Sequence, residues 1–303
     1  GGNQADYGYA TPTVTVNNCN NSIEYVFGGG NAAKVPSTDV KIYGADSIGN
    51  VFGGGNGISG VAADVTGQTL VNIYGGHIGK VFGGSNKTGT IGGTITVNVS
   101  KSNDCTDPML VSEIYGGGNM APSSAGTINI SCTGTDGYIG KVFGGANAAN
   151  ISGDINLKIN GGNIGDVFGG NNASGDITGT VSVTVGDDPE NCGVFQIENV
   201  YGGGNLAPYG HNDNYPNVRI VSGTVTGGVY GGGYGQPAVI TGNPQVTVTG
   251  GTIGAVYGGG NAAAVTGNTV VSVSNATVTG SVYGGGNAAG ISGTTSVSVL
   301  SGT

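Results

Sequence analysis

Val256-Tyr257-Gly258-Gly259-Gly260-Asn261-Ala262-Ala263 returns 26 residues later as Val282-Tyr283-Gly284-Gly285-Gly286-Asn287-Ala288-Ala289. Its aromatic residue recurs at Phe27, Phe52, Phe82, Tyr115, Phe143, Phe168, Tyr201, Tyr230, Tyr257 and Tyr283, at intervals of 25, 30, 33, 28, 25, 33, 29, 27 and 26 residues. Self-similarity at a period of about 20–50 residues marks an array in which each unit buries its apolar face only against its neighbours. Each unit divides into three strand-like pieces. The first is the Val-aromatic pair running into the glycines. The second is a brief apolar-Ser/Thr-Gly piece such as Ile151-Ser152-Gly153 or Val265-Thr266-Gly267. The third alternates β-branched with polar residues, as at Val40/Ile42, Val71/Ile73, Val97/Val99 and Val246/Val248, the pattern of a half-buried strand. No apolar spacing near 3.6 is present, and glycine at this density opposes helix.

Three strands in each of about eleven units of roughly 27 residues predict an all-β fold, a parallel β-solenoid with three faces. Equivalent residues then stack about 4.8 Å apart along an array of roughly 50 Å. The strong preference of parallel crossovers predicts a right-handed path. A β-propeller needs longer units of four strands. The whole of 1–303 reads as one solenoid domain. Its ends fall inside a repeat without a polar capping unit, which predicts a segment of a longer array. Asp-, Asn-, Pro- and Gly-rich stretches predict projecting loops near 100–108, 186–195 and 209–217.

Composition excludes several classes of function. The chain has 67 glycines, 8% charged residues and a net charge of −9. Its eight scattered basic residues form no patch for phosphates or anionic lipid, so nucleic acid is not an expected partner. No apolar run approaches the ~20 residues of a membrane-spanning helix. Gly-Gly-Gly-Asn resembles a phosphate loop only superficially, because a genuine one occurs once, before a helix, with a lysine or acidic partner.

Within the motif the first two glycines are present in all ten copies, while the third becomes Ser85, Ala146 or Asn171 in three. The first two positions are therefore expected to need positive φ or close backbone approach. Asparagine follows at Asn31, Asn56, Asn86, Asn119, Asn147, Asn172, Asn205, Asn261 and Asn287, with Tyr234 the exception. A row of stacked amides at a corner, where asparagine also tolerates left-handed geometry, is the structural expectation. The aromatic row has two readings. Alternation from the variable position before it (Asn50, Lys80, Glu113, Lys141, Asp166) turns the rings outward, as a face for binding or self-association. Glycine bulges would instead fold them inward as a core stack.

Few residues suggest chemistry. Asp154 and Asp176 share a Ser-Gly-Asp-Ile context on neighbouring repeats, with Asp166 between them. A carboxylate pair about 5–9 Å apart is what glycoside hydrolysis needs, although turn aspartates are the simpler reading. His77 and His211 stand alone, with no metal spacing or nucleophile–base pair. Neither a metal nor a cofactor is expected; oxygen-rich stretches at His211-Asn212-Asp213-Asn214 and Asp187-Asp188-Pro189-Glu190 offer Ca²⁺ as the only alternative. Cys105 and Cys132 precede successive aromatic positions by 10 and 11 residues. Stacking predicts a disulfide between them and leaves Cys19 and Cys192, six repeats apart, unpaired.

Together the Val-Tyr/Phe-Gly-Gly-Gly-Asn-Ala-Ala repeats and Val-Ser-Val strands resemble the glycine-rich repeat regions of large bacterial surface proteins of the adhesin and β-helix kind. The resemblance covers essentially the whole chain and lies in repeat style. It implies an extracellular or cell-surface protein. The expected function is structural or adhesive and non-enzymatic, with copies of itself (as filaments) or host and cell-surface glycans or proteins as partners. The alternative is a β-helix that binds or cleaves polysaccharide.

Overall fold

The computed structural model describes residues 2–8, 10–102 and 107–301, and these coil into a parallel β-solenoid. One eleven-stranded sheet runs in sequence order from Thr13–Asn17 to Thr295–Val299. A second runs from Ser22–Phe27 to Thr277–Val278, with Val282–Tyr283 paired beside Thr252–Tyr257. The third face is slight. It holds one three-stranded sheet of Tyr209–Gly210, Ile240–Thr241 and Val265–Thr266, together with single bridges such as Val35 to Val65 and Ile151 to Ile177.

Register follows the repeat. Val51, Val81, Ile114, Val142, Val167 and Val200 are partners in turn along the second sheet. In the first sheet Val40, Val71, Val97 and Ile128 form an equivalent column. Both columns face one central core, from which water is excluded along the axis. A slip by one residue would turn every such side chain outward, so the alternation itself holds the register.

Second-sheet strands bend before they reach the rings. Ile48 and Val51, three residues apart, both enter the central core, which strict alternation forbids. The bend falls at Gly49, where a Cβ would lie 2.6 Å from the Glu24 carbonyl of the preceding turn. Gly79, Gly140, Gly165 and Gly254 repeat that close approach.

Candidate functional site

Beyond the bend, alternation resumes and settles the direction of the rings. In the turn at 113–116, Ile114 points into the core, so Glu113 and Tyr115 share the outer face. The Tyr115 hydroxyl donates to Glu113 Oε2 at 2.8 Å. The rings thus face away from the central core, yet from Phe52 to Tyr230 they are buried and form a cluster of their own. Each ring is covered above and below by its neighbours. Ten rings, Phe27 through Tyr283, stack with centroids 4.6–5.1 Å apart and planes within 3–15°, a spacing set by the axial rise. Tyr283 is half exposed. The row is therefore outward in direction and core-like in burial, so neither sequence reading alone describes it.

An amide ladder runs beside the stack. Each asparagine Nδ2 donates to Oδ1 of the preceding one at 2.7–2.9 Å, from Asn31 onto Asn3 up to Asn205 onto Asn172. The same bond joins Asn287 to Asn261. Tyr234 interrupts the ladder and folds its ring edge-on against Phe168 and Tyr201, at 6.4 and 5.4 Å. The ladder also closes over the stack, since Asn172 Nδ2 donates to the Tyr115 hydroxyl at 3.1 Å.

None of the paired glycines after the rings has positive φ, so left-handed backbone is not why they are glycine. At Gly53, Gly83 and Gly116 a Cβ would sit 2.2–2.5 Å from the carbonyl oxygen of the matching glycine one turn on. Consecutive amides there, Gly53 and Gly54, both donate to the following turn, and Asn56 and Gly57 then both donate to the preceding one. Close axial contact excludes any side chain. Third-position substitutes add bonds of their own. Ser85 Oγ accepts from the Gly55 N–H at 3.2 Å and Asn171 Oδ1 from the Ala146 N–H at 2.7 Å. Nor is left-handed geometry the reason for the asparagines: among the described residues Asn275, outside the row, is the non-glycine residue with positive φ.

Over four successive turns the variable position two residues before the ring forms a ladder of alternating charge. Lys80, Glu113, Lys141 and Asp166 are successive partners, and Lys80 Nζ lies 2.8 Å from Glu113. Burial would push the Glu113 carboxyl up. Hydrogen bonds from Lys80 and Tyr115, with the charges of Lys80 and Lys141, outweigh it and hold the carboxyl below the ordinary range. Burial, then Glu113, pushes the Tyr115 hydroxyl far up. Burial likewise raises Tyr201, Tyr209 and Tyr230. Between this ladder and the asparagines runs a shallow groove of about 310 Å³, floored by Phe52 and Phe82 and walled by Asn50, Lys80, Asn86 and Asn119.

The carboxylates weighed for hydrolysis are not a matched pair. Asp154 precedes Ile155, whose partner is Val181, so it stacks on Thr180, and its Oδ1 accepts from the Thr180 N–H and hydroxyl at 2.8 and 2.9 Å. These two bonds, the backbone one foremost, hold its pKa below the usual carboxylate value. Asp176 precedes Ile177, the partner of Ile151, and therefore stacks on Asn150. Asp166 lies on the second sheet and accepts from Asn199 at 3.0 Å. Asp187 pairs with Arg219, and His211 Nδ1 accepts from the Asp213 N–H at 3.2 Å. Among the described residues no group of three or more His, Cys, Asp or Glu converges as a metal site.

The disulfide differs from expectation. Cys132 bonds Cys192, with Cα atoms 5.3 Å apart; Cys105 lies outside the described residues. Loop 186–195 reaches back over one whole turn, across Gly161, whose Cβ would meet Cys192 at 3.2 Å. Counting repeats assigns a cysteine to its own turn and misses such a loop. Cys19 is disulfide-bonded as well, so the expectation of two unpaired thiols fails too.

A larger concavity that the sequence did not single out opens on the third face, with a volume of about 870 Å³. Residues expected to form one loop at 209–217 begin instead as the strand Tyr209–Gly210. The loop proper sets His211, Asn212 and Asp213 over Asp176 and Thr178 of the preceding turn. Tyr209 is buried and its hydroxyl donates to the Gly179 carbonyl at 3.0 Å, while Tyr215 packs edge-on against His211 at 5.3 Å.

Compared with models of known families, with curated proteins and with solved structures, the chain matches none. Among the described residues no helix is long and apolar enough to cross a membrane.

Proposed function

We propose that this solenoid is a non-enzymatic structural and adhesive element of the extracellular or cell-surface space. The observation that carries the reading is where the repeated residues are spent. Rings, asparagines and paired glycines all face their counterparts one turn away, and Asp154 and Asp166 accept hydrogen bonds from neighbouring turns. Such a chain is built to persist as a rod with a long lateral surface. The Cys132–Cys192 bond supports an oxidising compartment, where structural disulfides endure. Copies of itself, associating laterally into bundles, or glycans and proteins of a cell surface are the proposed partners. Electron microscopy at high protein concentration tests self-association: filaments or bundles are expected, and isolated rods alone would count against it.

A second reading, a β-helix that binds or cleaves polysaccharide, is favoured by one observation, the third-face concavity beside Asp176. A reducing-sugar assay separates it from the first. Cleavage that disappears in Asp154→Ala or Asp176→Ala would replace the structural reading with an enzymatic one.

A further inference from the structure

The third-face concavity lies at one place where the axial pairing of that face lapses. Ile151 bridges Ile177 and Tyr209 pairs with Ile240, but Ile177 and Tyr209 form no bridge among the described residues. The gap leaves a hollow in which Pro208 and Val239 are the accessible apolar residues, over the buried Ile177 and Tyr209, beside polar groups from three successive turns. The Thr178 hydroxyl is used, donating to the Ser152 carbonyl of the preceding turn at 3.0 Å, but Asp176 and His211 are not consumed by turn-to-turn side-chain bonding in the way Asp154 is. The Asp176 N–H is taken by Asn150 Oδ1 at 2.9 Å, yet its carboxylate has no hydrogen-bond or ion-pair partner among the described residues. His211 Nδ1 already accepts from the Asp213 N–H, so in the neutral ring the proton sits on Nε2, a donor.

Two further features define what would fit. At about 870 Å³ the cleft has the size of a ligand site. It shares Asp176 and Thr178 with a second cleft of about 330 Å³ that continues past Ile151 and Ser123 to Thr90 and Ile91. The combined groove crosses several turns and suits an extended ligand lying along the axis. No lysine or arginine lines either cleft, whereas Asp176 and Asp213 do. Carboxylates accept from hydroxyl and ammonium groups and repel other carboxylates.

Resting on the adhesive reading above, we infer that this groove binds an extended oligosaccharide of neutral or amino-substituted sugars. Asp176 would accept from sugar hydroxyl or amino groups, His211 Nε2 would donate to a sugar oxygen, and apolar sugar faces would lie against Pro208 and Val239. Uronate-bearing chains would be excluded by charge.

The test uses the full chain on an array of neutral, amino-substituted and uronate-containing oligosaccharides, with a lysine-rich peptide alongside. Neutral or amino-sugar chains should bind and uronates should not. Asp176→Asn and His211→Ala should each weaken binding by about tenfold, the loss expected for one hydrogen bond. Asp166→Asn, on the second sheet, should leave it unchanged. The unfolding midpoint of Asp176→Asn should match the parent, since the Asp176 carboxylate supports no neighbour. Binding of uronates or of the peptide alone, or wild-type affinity in both groove variants, would overturn the inference. Adhesion of the chain to cells, measured separately, distinguishes the failures. Adhesion without oligosaccharide binding removes the groove and leaves the adhesive reading, whereas loss of both removes the two together.

Discussion

The ring corner and the third face are cut from the same turns and obey opposite rules. At the corner every turn contributes a ring, two glycines and, with one exception, an asparagine, and each finds its counterpart one rise away. On the third face pairing shrinks to two-residue strands and single bridges, loops of different length project, and polar groups are left over. Strict repetition locks side chains into neighbours of their own kind. Relaxed repetition leaves room for surface that can do something else.

Breaking the corner should cost most. Phe143 is fully buried between Tyr115 and Phe168, and Phe143→Ala should lower stability in denaturant unfolding by about 3–5 kcal/mol. An equal loss for Tyr283→Ala, half exposed with a described ring on one side, would show that stacking adds nothing. Gly116→Ala comes next. Its new Cβ would lie 2.2 Å from the Gly144 carbonyl oxygen, and forcing the turns apart should cost about 1–3 kcal/mol. Gly290→Ala, with nothing within 4 Å, should unfold like the parent.

Alkali should separate buried rings from exposed ones by a different route. Burial raises the folded-state pKa of Tyr115, Tyr201, Tyr209 and Tyr230 above the ordinary tyrosine value of about 10. Their contribution is therefore whole below about pH 10 and falls as pH climbs through the raised values, because the unfolded chain releases protons that the folded one keeps. Tyrosinate absorbance should rise for exposed rings first, with the rest ionising only as the solenoid unfolds. Early ionisation of every tyrosine would contradict the burial. The smallest effect belongs to Tyr234→Asn. Bridging Asn205 and Asn261 would add up to two amide bonds and remove two edge contacts with Phe168 and Tyr201. Each of these is worth about 1 kcal/mol, so the unfolding midpoint should barely move.

How much of this can be read from the chain alone follows the same division. The alternating strands, their parallel register and the asparagine row are properties of equivalent positions, and stacking alone dictates them. The rings needed one more fact. Residues such as Gly49 and Gly140 bend the second-sheet strands, so a side chain can point away from the central core and still be buried by copies of itself. The paired glycines were legible as obligatory; the contact that makes them so lies a full turn away in sequence. The Cys132–Cys192 bond and the His211 cleft depend on loops that depart from the period. A periodic argument carries no information about where a departure goes.

That disulfide has a mechanical meaning. A solenoid pulled at its ends unravels turn by turn, each turn shielding the next. Cys132 and Cys192, 60 residues apart, clasp one turn to the second beyond it, so the enclosed chain cannot pay out under tension while the clasp holds. Roughly 200 Å of contour stays hidden at about 3.3–3.6 Å per extended residue. Under load the two turns inside the clasp would hold while turns outside it could still unravel.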